Sequence, residues 1–243
     1  MTRIARAIVL AAGLGLRLRP LTDSRPKALV EVGKRPLIDH ALDQLAAGGV
    51  QEVVVNLHHH ADMLAAHLAD RTTPKITLSR EPQLMGTGGG IRKALPLLGT
   101  DPFFAVDCDT LRLDGPTPAL RQMATAWDPA RMDALILAAP TAKGIGMPDH
   151  GALFLDPEGR ARLPGESEIA PYAFASVQVL SPALVAKRAE EPFSYKELWR
   201  LAEAEGRLWG MVHDGACLQV LTPESIEEAD ALLDERMARW VEP

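Results

Sequence analysis

A chain of 243 residues with 47% hydrophobic and 24% charged side chains has an ordinary globular balance and is long enough to bury a core without covalent staples. Its formal net charge of −6 argues against a general nucleic-acid binder, whose surface is normally basic. Two cysteines, Cys108 and Cys217, belong to no CxxC pair, so neither a zinc site nor a disulfide framework is expected and both read as small buried residues.

Strand and helix signals alternate from the start of the chain. Residues 6–13 (RAIVLAAG) read as a fully buried strand. Gly13 and Gly15 then break the apolar run, and Arg17 and Arg19 follow at once. The run falls far short of the ~20 apolar residues of a membrane span, so a cytoplasmic protein without a membrane partner is expected. Residues 37–49 carry a helical pattern ended by Gly48 and Gly49. A strand at 52–57, a helix at 61–70, a strand at 75–79, a helix at 90–98 behind a glycine cluster and a strand at 103–107 come next. A helix around 117–126 and a strand at 133–139 complete the first half. This alternation predicts an α/β fold with a Rossmann-like mixed, mainly parallel sheet flanked by helices.

The character changes after residue 145. A hairpin at 152–164, a long strand at 172–180, helices at 182–190 and 194–205, short strands at 211–214 and 217–221 and a closing helix at 224–240 read as an α+β extension of the same sheet. No linker, repeat or low-complexity run divides the chain, so one domain over 1–243 is expected, with halves at 1–145 and 146–243.

Open parallel sheets bind ligands beyond the carboxyl ends of their strands. Three unusual segments fall there: the loop after the first strand, EPQLMGTGGG at 81–90 and VDCDT at 106–110. The first is not a dinucleotide fingerprint, because Leu18 stands where a third glycine is needed and Asn56 where an acidic residue would meet a ribose. Nor is it a Walker A loop, which needs GK followed by Ser or Thr.

The uninterrupted string from Leu10 to Lys27, LAAG-x-G-x-R followed by Arg19-Pro20-Leu21-Thr22 and by Pro26-Lys27, resembles the signature of the sugar-1-phosphate nucleotidyltransferases, the nucleotide-diphospho-sugar pyrophosphorylases. PLIDHAL, LMGTGGGIRKALPLLG and the VHDG…TPE ending are most similar to the short N-acetylmuramate-1-phosphate uridylyltransferase subfamily. The resemblance implies the nucleotide-diphospho-sugar transferase fold, with a nucleotide-binding first half and a sugar-phosphate-binding second half. It also implies Mg²⁺-dependent transfer of a nucleotidyl group from an NTP, UTP foremost, to a sugar 1-phosphate. Arg17 would hold the triphosphate, Lys27 would stabilise charge on the reacting phosphates and Asp109 would hold Mg²⁺. Leu10, Ala11, Ala12, Gly13 and Gly15 would cradle the nucleotide, and Gly86, Thr87 and Gly88 would read the base. The physics agrees, since bare backbone approaches phosphate closely and Arg forks onto it. A plain helix-entry turn also explains the glycine cluster, but three consecutive glycines are costly in entropy for that alone.

The acidic centre departs from the family pattern. Asp107 and Asp109, two apart in a strand, share a face. Asp107 reads equally as a strand-end cap or as a further carboxylate beside the nucleotide. Gln219 stands where the family places a second Mg²⁺-binding Asp, Leu221 where it keeps Gly, and Ser176 where a Gly borders the sugar phosphate. Asp107 or Asp214 would then supply the missing charge. Two alternatives follow: a weakened or inactive nucleotide-binding relative, and a glycosyltransferase using Asp107-x-Asp109. The opening motif is also shared with enzymes acting on alcohol phosphates or a molybdopterin. The run His58-His59-His60 reads as a solvated loop with one ring near the nucleotide, and Trp199 and Trp209 as core or lid packing.

Overall fold

The computed structural model describes residues 4–143 and 151–241; the expected junction of the two halves at 145/146 lies outside them. In chain order the elements are β1 (Arg6–Leu10), β2 (Glu31–Val32), β3 (Arg35–Pro36), α1 (Leu37–Ala47), β4 (Glu52–Leu57), α2 (Ala61–Leu68), β5 (Lys75–Arg80) and α3 (Gly86–Leu98). Then come β6 (Phe103–Asp107), β7 (Thr110–Leu113), α4 (Ala119–Ala126), β8 (Ala134–Pro140), β9 (Phe154–Leu155), β10 (Ala161–Arg162) and β11 (Tyr172–Leu180). The chain closes with α5 (Pro182–Ala186), α6 (Lys196–Ala204), β12 (Leu208–Val212), β13 (Ala216–Gln219) and α7 (Pro223–Val241).

Among the described residues, seven strands form one sheet in the order β12-β8-β11-β6-β1-β4-β5. Its neighbours pair in parallel except β11, which runs antiparallel to both β6 and β8. The strands are apolar on both faces because helices cover both. In β1, Ala7 and Val9 face one layer, with Ile38, Leu42 and Leu45 of α1 and Leu64 of α2. Ile8, one residue out of phase, faces the other layer, with Ile91, Ala94 and Leu98 of α3 and Trp199 of α6. Each fully buried Leu or Ile contributes roughly 1.5–3 kcal/mol of transfer free energy, so both layers hold their helices against the sheet.

Small elements carry the site. β7 and β13 pair as an antiparallel ribbon, with Gln219 opposite Thr110. Leu18 of the first loop, Val30 and Val32 pack with Leu111, Leu218, Val220 and Ala229, tying that loop to the ribbon and to α7. The Gly33 N–H donates to Asp230 Oδ1 of α7 at 2.6 Å. The stretch between β8 and β11 leaves and re-enters the sheet at one neck, where Thr141 N–H donates to the Pro171 carbonyl at 3.0 Å.

Several expected boundaries shift. The glycine cluster is not a loop ahead of α3 but its first turn, starting at Gly86 rather than residue 90. The helix expected at 182–190 stops at Ala186, and the strand expected at 211–214 is the end of Leu208–Val212. Trp199 is wholly buried, and its indole N–H donates to Gln178 Oε1 at 2.7 Å. Trp209 is buried as well, and Cys108 and Cys217 are buried free thiols. Among the described residues no helix is long and apolar enough to cross a membrane.

Candidate active site

Register brings three strand ends into one row. Leu10 pairs with Asn56 on one side and with Asp107 on the other, so the carboxyl ends of β1, β4 and β6 stand together. Beyond them opens a cavity of about 550 Å³, a normal size for a small-molecule site. Leu10, Ala11, Ala12, Gly13, Gly15, Arg17 and Lys27 line it from the first loop, Gly86 and Thr87 from α3, and Asp107, Asp109 and Gln219 from the acidic side.

The first loop descends through three short 3-10 turns, at Leu16–Leu18, Leu21–Asp23 and Lys27–Leu29. Gly15 is left-handed at φ +63°, and a Cβ there would lie 2.8 Å from Thr22 Cγ2. Only glycine meets both demands. Gly13 has open space around it, which belongs to the cavity. Arg17 is exposed and has no carboxylate partner among the described residues. Lys27 does have one: its Nζ lies 2.6 Å from Asp109 Oδ2, with the side chains only 13% and 18% exposed. This pair ties the phosphate loop to the acidic centre and is too sheltered to be dismissed as a surface contact. The ribbon reinforces it, since Val220 N–H donates to the Asp109 carbonyl at 2.7 Å and so sets Gln219 beside that residue.

Asp107 is held by Tyr195, whose hydroxyl donates to Oδ2 at 3.4 Å. Burial, and then the neighbouring charge of Asp109, push the Asp107 carboxyl well above the usual carboxylate range. Unfolded, the same group ionises near 3.9. At pH values between the two, the native state holds a proton that the unfolded state has released, so stability falls as pH rises through that window. Asp107→Asn is therefore expected to raise Tm of the ligand-free protein at pH 8 but not at pH 4. Equal shifts at both pH values would show that Asp107 is ionised in the fold.

The glycine cluster is explained mainly by packing inside the protein. The Gly88 and Gly89 N–H groups donate to the Phe193 carbonyl at 2.9 and 3.2 Å, and Phe193 N–H donates to the Met85 carbonyl at 3.0 Å. A Cβ on Gly88 would enter the Phe193 ring, and one on Gly90 would lie 2.7 Å from both Asn56 Nδ2 and Glu81 Oε1. Gly88, expected at the base, therefore faces the strap between α5 and α6 and not the cavity. Only Gly86 and Thr87 of the expected trio reach it, with Thr87 Oγ1 accepting from Tyr195 N–H at 3.0 Å.

Ser176 also lies away from the cavity. It is 1% exposed, at φ +60°, in the irregular part of the β11–β8 pairing between Phe174 and Gln178. Thr110 Oγ1 donates to its Oγ at 2.6 Å. A glycine-favouring backbone accounts for the glycine expected there, and the serine supports Thr110 from behind. The histidine run is a half-exposed turn, as expected, but each ring also has a partner: His58, His59 and His60 are each within 3.2 Å of a main-chain carbonyl. Among the polar lining residues, Asn56, Glu81 and Tyr195 carried no expectation as contacts. Asn56 and Glu81 are both buried, with Asn56 Nδ2 donating to Glu81 Oε1 at 2.8 Å. A polar residue closing the run VVVNL was the available signal for Asn56. Tyr195 comes from 88 positions beyond Asp107, and nothing local marks it.

A family model described as the MobA-like NTP transferase domain matches residues 7–237. The chain belongs to that family. The N-acetylmuramate alpha-1-phosphate uridylyltransferase of Caulobacter vibrioides is 42% identical to this nucleotidyltransferase over 234 residues, 94% of this chain and 97% of that protein. A protein of the same name from Neisseria meningitidis is 30% identical over 93% of this chain and 97% of its own length. Among solved structures, a UDP-glucose pyrophosphorylase complexed with UDP-glucose superposes with a TM-score of 0.78 at 17% identity, covering 96% of this chain and 100% of the other. That likeness bears on the fold, which is the sugar-nucleotidyltransferase architecture expected from the sequence. The glycosyltransferase reading of Asp107-x-Asp109 gives way to the family match, and in this nucleotidyltransferase Asp109 is engaged by Lys27.

Proposed function

We propose that this nucleotidyltransferase transfers the uridylyl group of UTP to a sugar 1-phosphate, N-acetylmuramate 1-phosphate foremost, and releases pyrophosphate. The observation that carries the reading is the sheltered Lys27–Asp109 pair bordering, with Arg17, one cavity at the strand ends. The relative at 42% identity bears that activity in its name. In the reaction an oxygen of the sugar phosphate attacks the α-phosphorus in line, the α–β bridging P–O bond breaks, and the electron pair leaves with pyrophosphate. No covalent enzyme intermediate is needed, so the protein has to position and neutralise. Arg17 forks onto the leaving phosphates, Lys27 faces the reacting one, and Gly13 leaves the approach bare. The cavity lining includes Gly86 and Thr87 of α3 as well as Asp109 and Gln219 of the acidic centre.

Mg²⁺ suits the donor set. Asp107, Asp109 and the Gln219 amide carbonyl offer only oxygen to the cavity, as a hard cation requires. No group of three or more His, Cys, Asp or Glu among the described residues is arranged to hold a metal, and Mg²⁺ ordinarily takes one or two carboxylates and completes its shell with phosphates and water. Asp109 and Asp107 would hold the ion, which when bound supplies charge neutralisation for the phosphates.

A pyrophosphate-release screen of four NTPs against a panel of sugar 1-phosphates, with and without Mg²⁺, tests the reading. Product from UTP and N-acetylmuramate 1-phosphate is the expected result, and preference for another pair would replace the substrates named. A second reading, ligand binding with little turnover, rests on neutral Gln219 and bulky Leu221 in the cavity wall. Pyrophosphate release above a Lys27→Ala control excludes it. Gln219→Asp restores a carboxylate and is expected to lower the Mg²⁺ concentration for half-maximal rate; an unchanged Mg²⁺ dependence would remove Gln219 from the ion's surroundings.

A further inference from the structure

We infer that Asn56–His60, the end of β4 and the turn into α2, is a brace that sets the phosphate loop against the loop before α3, and that His59 is a positioning residue for the triphosphate. The inference rests on the proposed nucleotide site; Asn56 borders the cavity, but its three histidines stand outside the wall, since none of His58, His59 and His60 lines it.

The three histidines reach two different loops. His58 Nδ1 is 2.9 Å from the Glu81 carbonyl, in the loop before α3. His59 Nε2 is 3.1 Å from the Thr22 carbonyl, and His60 Nε2 is 3.2 Å from that of Asp23, both in the phosphate loop. A carbonyl only accepts, so each of these ring nitrogens must carry the proton and donate. His60 sits at φ +49°, ψ 40°, left-handed backbone that histidine adopts uncommonly. Such backbone persists where its surroundings over-determine it, and it gathers at functional sites.

The Thr22 contact leads inward to the cavity. Thr22 is 1% exposed, and its hydroxyl donates to the Gly15 carbonyl at 2.9 Å. Gly15 in turn packs against Thr22 and the Lys27 side chain. A line of contacts therefore runs from His59 through Thr22 to the glycine turn that carries Arg17. Asn56 completes the brace at the other end: its Oδ1 accepts from Ala11 N–H at 2.6 Å and its Nδ2 donates to Glu81. One five-residue segment thus holds the phosphate loop at Ala11 and at Thr22–Asp23, and the loop before α3 at Glu81.

His59→Ala and His59→Gln test the brace, because a Gln amide nitrogen reaches about where His Nε2 stands and can donate to the same carbonyl. Two quantities are read: amide hydrogen exchange over residues 13–25 in the ligand-free protein, and UTP affinity with KM for both substrates. For His59→Ala, faster exchange confined to that loop is expected, with UTP affinity and KM weakened roughly tenfold, the scale of a small displacement of phosphate-positioning groups. KM for the sugar phosphate should stay within twofold of wild type, and His59→Gln should recover most of both effects. Thr22→Val should behave like His59→Ala, and the double variant no worse than either alone. Unchanged loop exchange, unchanged UTP affinity or equal loss toward both substrates in His59→Ala would each overturn the proposal. If His59→Ala does not fold, His59→Gln compared with His59→Leu decides by the same measures. A wild type that releases no pyrophosphate from any NTP defeats the proposed function, while the exchange data still judge the brace.

Discussion

Lys27→Ala is expected to lower turnover by roughly 10²–10³, the scale for removing one preorganised charge from a reacting centre. Two changes act in the same direction. The positive charge facing the transferred phosphate disappears, and Asp109 loses the partner 2.6 Å away that neutralises it. An uncompensated carboxylate then faces the phosphates in a sheltered position, where charge is poorly screened. Lys27 also restrains the rise of the Asp107 pKa, so its loss should push that carboxyl further toward its neutral form. Lys27→Arg is not a repair, because a planar fork cannot replace a compact ammonium held in a short 3-10 turn. Steady-state pyrophosphate release measures the effect. A Lys27→Ala rate within threefold of wild type would remove Lys27 from the chemistry.

The second large effect is on stability. Gly89→Val is expected to cost about 3 kcal/mol, the upper range of ordinary overpacking. At roughly 2–4 °C per kcal/mol for a chain of this size, Tm should fall about 6–12 °C. A Cβ on Gly89 would press into the main-chain carbonyl of Glu191, which cannot swing aside as a side-chain tip can. The strap it displaces carries Phe193, whose carbonyl caps Gly88 and Gly89, and then Tyr195, which touches Asp107 and Thr87. Activity should therefore fall along with stability. Gly13→Ala is the contrasting case: open space surrounds Gly13, so Tm should hold while nucleotide affinity drops. Thermal melts of the two variants, with and without UTP, separate the roles, and a Gly89→Val melt within 2 °C of wild type would show that the strap yields freely.

The contrast between these glycines marks where local sequence stopped being informative. Strands such as 52–57 and 103–107 were legible to the residue because an apolar run that is buried on both faces leaves a continuous signal in the sequence. The first loop was legible because its glycines and cations fall within a few residues of one another in one uninterrupted string. Gly88 to Gly90 answer instead to Phe193, Glu191 and Asn56, from two distant parts of the chain, and to Glu81 at the start of their own segment. A glycine required by a distant neighbour looks the same in sequence as one left bare for a substrate. Ser176 misled for a related reason: the position needs a left-handed backbone, and that need is set by pairing with β8 and β6 rather than by contact with the cavity. The histidine run carried no pattern of its own, since its partners are main-chain carbonyls that every sequence possesses.

The reversed direction of β11 shapes what variation this architecture tolerates. Because β11 enters the sheet at the rim where β8 leaves it, the Thr141–Pro171 excursion begins and ends at a single hydrogen-bonded neck, on the cavity side of the sheet. Closing a longer excursion costs little extra entropy, about 0.6 kcal/mol for each doubling. The length and sequence of this stretch can therefore change at little cost to the sheet. The row formed by Leu10, Asn56 and Asp107 is set by the pairing of β1 with β4 and β6, so change within the excursion leaves that row in place.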